Sequence, residues 1–112
     1  MDLVQDIQKL MEELTSSIKL LRRHGNDLAT AERNYKVKLR QEALKLRSEE
    51  NMPVTLINQI IYGIDEVAEL RLKRDIAQTT YDTNLEHNNV TKLKLRLLEA
   101  QLNREWTNDN GR

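Results

Sequence analysis

Apolar residues recur every three or four positions along almost the whole chain, and a single proline, Pro53, stands near its middle. This spacing keeps one face of a helix apolar. Pro53 lacks a backbone donor and disfavours helical geometry at the residue before it. A connection as short as 51–53 makes the flanking helices antiparallel. The sequence therefore predicts an all-α fold, a long antiparallel helical hairpin that resembles a coiled coil.

The predicted hairpin is a single domain over residues 1–106. Its first helix spans about 2–50, a turn occupies 51–53, and the second helix spans about 54–106. The polar residues 107–112 are expected to fray as a tail.

Two glycines raise the question of whether these helices are continuous. Gly25 follows three cationic or titratable residues and precedes an asparagine, which is typical of a helix that stops and restarts, so a break near 25 is one alternative. Leu21 and Leu28 keep the same heptad phase across the glycine, which favours a continuous helix. Gly63 poses the same question, and the apolar residues around it again favour continuity: Ile60, Ile61, Ile64 and Val67.

Each predicted helix has a seam, meaning a row of side chains that faces the other helix. The first seam consists of Leu3, Ile7, Leu10, Leu14, Ile18, Leu21, Leu28, Ala31, Tyr35, Leu39 and Leu46. The second seam consists of Ile57, Ile60, Ile61, Ile64, Val67, Ala68, Tyr81, Leu85, Leu95, Leu102 and Trp106.

The second helix also carries a second apolar stripe on a different side. Its members are Leu72, Ile76, Val90, Leu93, Leu97 and Ala100. One neighbouring helix cannot cover both the seam and this stripe, and two helices bury little apolar area. We therefore expect the hairpin to assemble with copies of itself into an oligomeric helical bundle.

Polar residues interrupt the second seam. The intervening heptad sites are Arg71, Arg74, Gln78, Asn88 and Lys92. Polar seam positions can specify register and oligomeric state, or they can line a functional surface. We expect Tyr35 and Tyr81 to pack against each other or a partner rather than to stack on nucleobases.

The charge is balanced overall, with 18 basic and 18 acidic residues, but it is unevenly distributed. Four cations fall within about 60° of one another on a helical wheel and form a basic stripe: Arg33, Lys36, Arg40 and Arg47. Such a stripe could follow the phosphates of a nucleic acid. The alternative is that these residues pair with acids or solvate the surface, and the zero net charge favours this alternative.

The sequence lacks the residue patterns of known catalytic sites. It has no cysteine, its two histidines stand outside metal-binding patterns, and it has no Gly-rich phosphate loop. We therefore expect no enzyme activity, no metal and no cofactor. No apolar run approaches the roughly 20 residues of a membrane span, and the amino terminus is unlike a secretory signal, so a cytoplasmic location is expected.

Several non-heptad residues occur in a fixed order: Met52-Pro53-Val54-Thr55-Leu56-Ile57, Gly63, Glu66-Val67-Ala68-Glu69-Leu70-Arg71, Arg74-Asp75, residues 92–101, Arg104-Glu105-Trp106 and Ala31-Glu32-Arg33-Asn34-Tyr35. Through these segments, which cover most of residues 29–106, the chain resembles a family of small helical proteins of phages and prophages of Gram-positive bacteria. The resemblance implies an early, non-virion gene near recombination or replication functions, acting in the bacterial host cytosol. It implies no activity. The candidate interaction residues within it are Tyr35, Arg71, Arg74, Asp75, Tyr81, Arg104 and Trp106.

The favoured hypothesis is a non-enzymatic, oligomeric interaction protein encoded by a phage, an adaptor or inhibitor of a host or phage protein. One alternative is a nucleic-acid-associated accessory protein of phage recombination or replication that uses the basic stripe. Another is a sponge that binds a small signalling nucleotide between subunits through Arg71, Arg74 and Tyr81. The three hypotheses share a fold and differ in the partner.

Overall fold

A computed structural model describes residues 2–110, with side chains described through residue 108. The described part consists of α1 (Leu3–Ser48), α2 (Val54–Ile60), a 3₁₀ turn (Ile61–Gly63) and α3 (Asp65–Asn110). No strand occurs among these residues, and the predicted all-α fold is confirmed for them.

Helix α1 runs without a break through Gly25. Its amino terminus is capped by Asp2, whose Oδ1 accepts hydrogen bonds from the backbone N–H groups of Val4 (2.9 Å) and Gln5 (3.4 Å). Basic residues occupy its last turn, where they offset the partial negative charge of the helix carboxyl end.

The chain leaves α1 and enters α2 through a left-handed residue. Asn51 has a φ of 50°, a conformation that asparagine tolerates better than most residues. The Met52 N–H donates to the carbonyl of Leu46 (3.2 Å), and Nη1 of Arg47 donates to the carbonyl of Met52 (3.0 Å). Pro53 then adopts an extended conformation at the start of α2.

The second predicted helix is divided, contrary to the expectation of one helix over 54–106. After α2 and the 3₁₀ turn, Ile64 is extended (φ −67°, ψ 127°), and α3 begins at the next residue. Ile57 and Ile61 are buried while Ile60 is exposed, so the apolar spacing did not mark one continuous face. Gly63, a poor helix former, ends the 3₁₀ turn at this break.

The chain packs as two units, each of which contains parts of α1 and α3. Unit 1 comprises Met1–Arg23 with Asp82–Arg112, and unit 2 comprises His24–Tyr81. In unit 2, Glu32 contacts Arg74 while the later Lys38 contacts the earlier Glu66, so α1 and α3 are antiparallel there, as the hairpin predicts.

The buried cores of the two units differ in polarity. Unit 2 buries the apolar or aromatic side chains of Tyr35, Ile57, Ile61 and Val67. Unit 1 buries the three polar side chains of Asn84, Asn88 and Thr91 together with Leu95.

Helix α3 has a regular heptad seam, but its register differs in part from the predicted one. Side chains that are buried or half-buried alternate at spacings of three and four: Val67, Leu70, Arg74, Ala77, Tyr81, Asn84, Asn88, Thr91, Leu95, Leu98 and Leu102. Every seventh residue from Val67 to Leu102 was predicted correctly. The other inward positions are one residue earlier than predicted, so Arg71, Gln78, Leu85 and Lys92 are exposed.

Other predicted seam residues are also exposed in the structure. In the second seam these are Ile60, Ala68 and Trp106. In α1 the predicted seam is buried or half-buried except at Ile18, which is 48% exposed, because the preceding Ser17 turns inward.

Helix α3 continues to Asn110, so residues 107–110, predicted to belong to a frayed tail, are helical here. The last two residues of that tail, 111–112, lie outside the described residues. No described helix has a stretch that is long and apolar enough to cross a membrane.

The left-handed conformation of Asn51 yields a test of the turn. Replacing Asn51 with alanine is expected to lower the free energy of unfolding by about 1 kcal/mol, because a Cβ without a local polar partner disfavours a positive φ. Asn51→Gly should change it by a few tenths at most, because glycine adopts this conformation freely. Urea unfolding followed by circular dichroism measures both, and equal losses in the two variants would contradict the proposed role of Asn51.

Candidate interaction surfaces

Tyr35 and Arg74 form a contact between α1 and α3 in unit 2. Tyr35 is 6% exposed, and the guanidinium carbon of Arg74 lies 4.6 Å from the centroid of its ring. A cation placed over an aromatic face at this distance is attracted by the electron density of the ring. The polar seam position at Arg74 is therefore filled by a side chain that packs on an aromatic neighbour.

Two carboxylates also engage Arg74. Nη2 and Nε donate to Oδ1 of Asp75 at 2.8 and 3.0 Å, and Nε lies 3.6 Å from Oε2 of Glu32. The hydrogen bond with Asp75 is the main cause that raises the pKa of Arg74 above its ordinary value. With two acids and a ring around it, this guanidinium has its principal contacts within unit 2.

The other candidates in unit 2 make separate contacts. The guanidinium of Arg71, which is exposed, lies 5.3 Å from the ring centroid of Tyr62. Tyr81 lies beside Gly25, where a Cβ would stand 3.3 Å from Cε1 of the Tyr81 ring. Arg71 and Arg74 thus contact different tyrosines, and neither of those tyrosines is Tyr81.

Lys38 is an inward cation of unit 2 that the sequence did not single out. Its Nζ pairs with Glu66 of α3 and lies 3.1 Å from Oε1 of Glu42 in α1. The hydrogen bond between Lys38 and Glu66 is the main cause that raises the pKa of the lysine and lowers that of the glutamate. This pair connects α1 to the first turn of α3.

The four cations of the basic stripe are all exposed. Lys36 pairs with Glu32 (3.1 Å), and Arg47 donates to the carbonyl of Met52. Arg33 donates to the neighbouring Asn34 (3.4 Å), and among the described residues Arg40 has neither a hydrogen bond nor an ion pair through its side chain. The stripe exists as a surface, but part of it is engaged in local contacts.

A layer of polar side chains occupies the interior of unit 1. Ser17 Oγ donates to Oδ1 of Asn88 (2.5 Å), and Nδ2 of Asn84 donates to Ser17 Oγ (2.9 Å). Thr91 is buried next in the seam and donates to the carbonyl of His87. Among the described residues, Oδ1 of Asn84 and Nδ2 of Asn88 are buried without a hydrogen-bond partner.

Sequence reasoning identified only Asn88 of this layer. A count of three, four and three residues from Tyr81 leads to Asn84, Asn88 and Thr91, but a count of four, three and four leads to Leu85, Asn88 and Lys92, so the alternation alone does not identify the layer. The predicted seam passed through Leu85, one residue after Asn84, because Leu85 has the larger apolar side chain. Ser17 was not predicted because Ile18, the next residue, is apolar and fits the seam spacing.

The outward surface of α3 beyond this layer carries a row of apolar side chains. We define the outer stripe as the exposed residues Val90, Leu93, Leu97 and Ala100 of unit 1. At 100° per residue it lies roughly 160° around the helix from the inward seam. The exposed fractions of its three larger members are 41%, 50% and 62%.

The remaining members of the second apolar stripe, Leu72 and Ile76, belong to unit 2 and are also exposed. The two candidates near the carboxyl end of α3 lie in unit 1. Arg104 is exposed and continues the spacing of the outer stripe, and Trp106 is 69% exposed.

No group of three histidine or acidic side chains that could hold a metal ion occurs within residues 2–108. Comparisons of the sequence with protein-family models, with curated proteins and with solved structures found no match. The strongest physical features are thus the outer stripe and the polar layer that precedes it along α3.

The polar layer predicts a contrast between partial and complete removal. Replacing Asn88 with alanine is expected to lower the free energy of unfolding by about 1–3 kcal/mol, because the half-buried hydroxyl of Ser17 loses its acceptor. The triple variant S17A/N84L/N88L should be at least as stable as the parent, because it removes the three interacting polar side chains and leaves only Thr91, whose hydroxyl donates to the His87 carbonyl.

Urea unfolding measures both effects, and Asn89→Ala is the matched control because that neighbour is exposed. A triple variant that is less stable than Asn88→Ala would show that the layer stabilises the fold in its own right.

Arg74 provides a second test. Arg74→Leu is expected to preserve or raise the melting temperature, because leucine packs at a seam position while the two acids released from Arg74 can be solvated at the surface. Arg71→Leu is the control, since Arg71 is exposed outside the seam. A lower melting temperature for Arg74→Leu alone, measured by circular dichroism, would show that the contact with Tyr35 outweighs apolar packing.

Proposed function

We propose that this chain is a non-enzymatic helical interaction protein that associates with itself through the outer stripe and serves as an adaptor or inhibitor of another protein. The observation that carries the proposal is the row of exposed apolar side chains at Val90, Leu93 and Leu97. Contiguous apolar surface on a small protein marks an interaction site, because leaving it in water costs free energy that an interface recovers.

A second copy is the simplest occupant of this surface. The inward face of α3 in unit 1 already packs with α1 through Ser17, so the outer stripe needs a helix from outside the unit. The polar layer also limits how much apolar area unit 1 buries, and small helical domains with little buried apolar area often depend on association for stability.

The resemblance to small phage proteins supports the proposed setting. In that setting a host or phage protein is the second partner, and the dimer would present two copies of each surface to it. Repeated surfaces raise the effective affinity for an oligomeric target without any additional contact.

The exposed basic stripe favours nucleic acid as the second candidate partner. Its cations are accessible, but Lys36 and Arg47 have local contacts and the net charge of the chain is zero. A small nucleotide is less well supported, because Arg71 and Arg74 are occupied by separate tyrosines and, for Arg74, by two acids.

Self-association yields a direct test. Light scattering at tens of micromolar is expected to give the mass of a dimer or higher oligomer for the parent chain. The variant L93N/L97N should give a monomer with the same helical content, because both leucines are exposed and contribute little to the core.

The matched control is V4N/M11N, which changes two similarly exposed apolar residues of α1 in the same unit and should leave the mass unchanged. A stable, folded monomer of the parent chain at these concentrations would overturn the proposal.

A further inference from the structure

The outer stripe belongs to a longer pattern that is symmetric about its middle. Six exposed residues of α3 in unit 1 follow one another at alternating spacings of four and three: Glu86, Val90, Leu93, Leu97, Ala100 and Arg104. The middle falls between the two leucines. Moving outward, the leucines are followed by two smaller apolar residues and then by an acid at one end and a base at the other.

We propose that a second copy of this chain docks on the outer stripe in the antiparallel direction across a two-fold axis, with Glu86 of each protomer paired to Arg104 of its partner. This inference rests on the proposed self-association and specifies its geometry. In a two-fold interface, if one residue contacts a second, the second also contacts the first. Leu93 then packs against the partner's Leu97, and Val90 against the partner's Ala100.

The end charges select the direction. In a parallel pair Glu86 would stand beside another Glu86, and Arg104 beside another Arg104, so both ends would repel. In the antiparallel pair the same residues form two acid–base pairs. Within residues 2–108 neither side chain has an ion-pair partner of its own, so both are available to a second copy.

The spacing and size of the stripe suit a helix as the occupant. Alternation of four and three residues is the pattern of a coiled-coil seam, in which each side chain fits between residues of the facing helix. From Glu86 to Arg104 the seam is about 27 Å long at 1.5 Å per residue. Lys94 and Arg96 flank the centre of the seam. Each approaches the same residue of the second copy, and the repulsion between these like charges limits the affinity of the dimer.

Charge reversal tests the direction of docking. In the antiparallel dimer Glu86→Arg or Arg104→Glu alone should raise the dimer dissociation constant at least about tenfold at low salt, because each creates two like-charged contacts. The double variant E86R/R104E should return it to within about threefold of the parent, because the pairs re-form with exchanged signs. Analytical ultracentrifugation at 50 mM salt measures all four proteins.

The matched control reverses Glu99 and Lys92, which are exposed on α3 outside the outer stripe. The single charge reversals at Glu99 and Lys92 should not weaken the dimer as those at Glu86 and Arg104 do. The double reversal of Glu99 and Lys92 should likewise leave the dissociation constant close to that of the parent. A double variant E86R/R104E that stays as weak as the single variants, or single variants that dimerise like the parent, would overturn the antiparallel arrangement.

Cysteine pairing supplies an independent readout, because the chain has no cysteine of its own. Val90→Cys and Ala100→Cys proteins should form a disulfide-linked dimer on mild oxidation only when mixed. A parallel dimer would instead give a linked dimer from Val90→Cys alone. If the parent dimerises and loses the dimer in L93N/L97N while cross-linking occurs only in the parallel manner, the proposed function stands and the antiparallel geometry fails.

Discussion

The heptad phase of α3 is the constraint on which the other features depend. Inward side chains alternate at three and four residues, and this phase places Asn84, Asn88 and Thr91 inside unit 1. The same phase places Leu93 and Leu97 on the opposite surface. The inner face is polar from Asn84 to Thr91 and apolar at Leu95 and Leu98, and the outer face is apolar from Val90 to Ala100, so the apolar side chains of this part of α3 do not all face α1 as they would in a simple amphipathic helix. Exposure of such an outward apolar face to water costs free energy, and we propose that a second copy covers it.

The polar layer gives a physical reason why the outer stripe faces away from α1. If α3 rotated to bring the outer stripe against α1, Ser17 would lose its hydrogen bonds with both asparagines and would face apolar side chains. A buried serine hydroxyl without a partner is costly. The layer thus selects the observed face of α3 over a competing one, in the way that single buried polar residues select a register in coiled coils.

In unit 2 the inward charged residues form ion pairs and ring contacts within the unit. Arg74 lies over Tyr35 and binds acids of both helices, and Lys38 joins α1 to Glu66 at the start of α3. Such contacts fix the alignment of the helices more than they stabilise them, because exposed ion pairs contribute little net free energy. The positions that best suggested a ligand site in the sequence therefore have structural contacts, and the outer stripe is the stronger interaction surface.

The sequence by itself determined the all-α fold, the end of α1 before Pro53 and the α1 seam except at Ile18, because helix periodicity and the geometry of proline are local properties. It also showed that α3 has two apolar faces. Only the tertiary structure decided which of two adjacent residues, Asn84 or Leu85, turns inward. They are about 100° apart on the helix, and hydrophobicity alone favours the leucine. Ser17 on α1 reverses that preference because it supplies hydrogen bonds to the asparagine, and no local pattern reports such a contact across 67 residues.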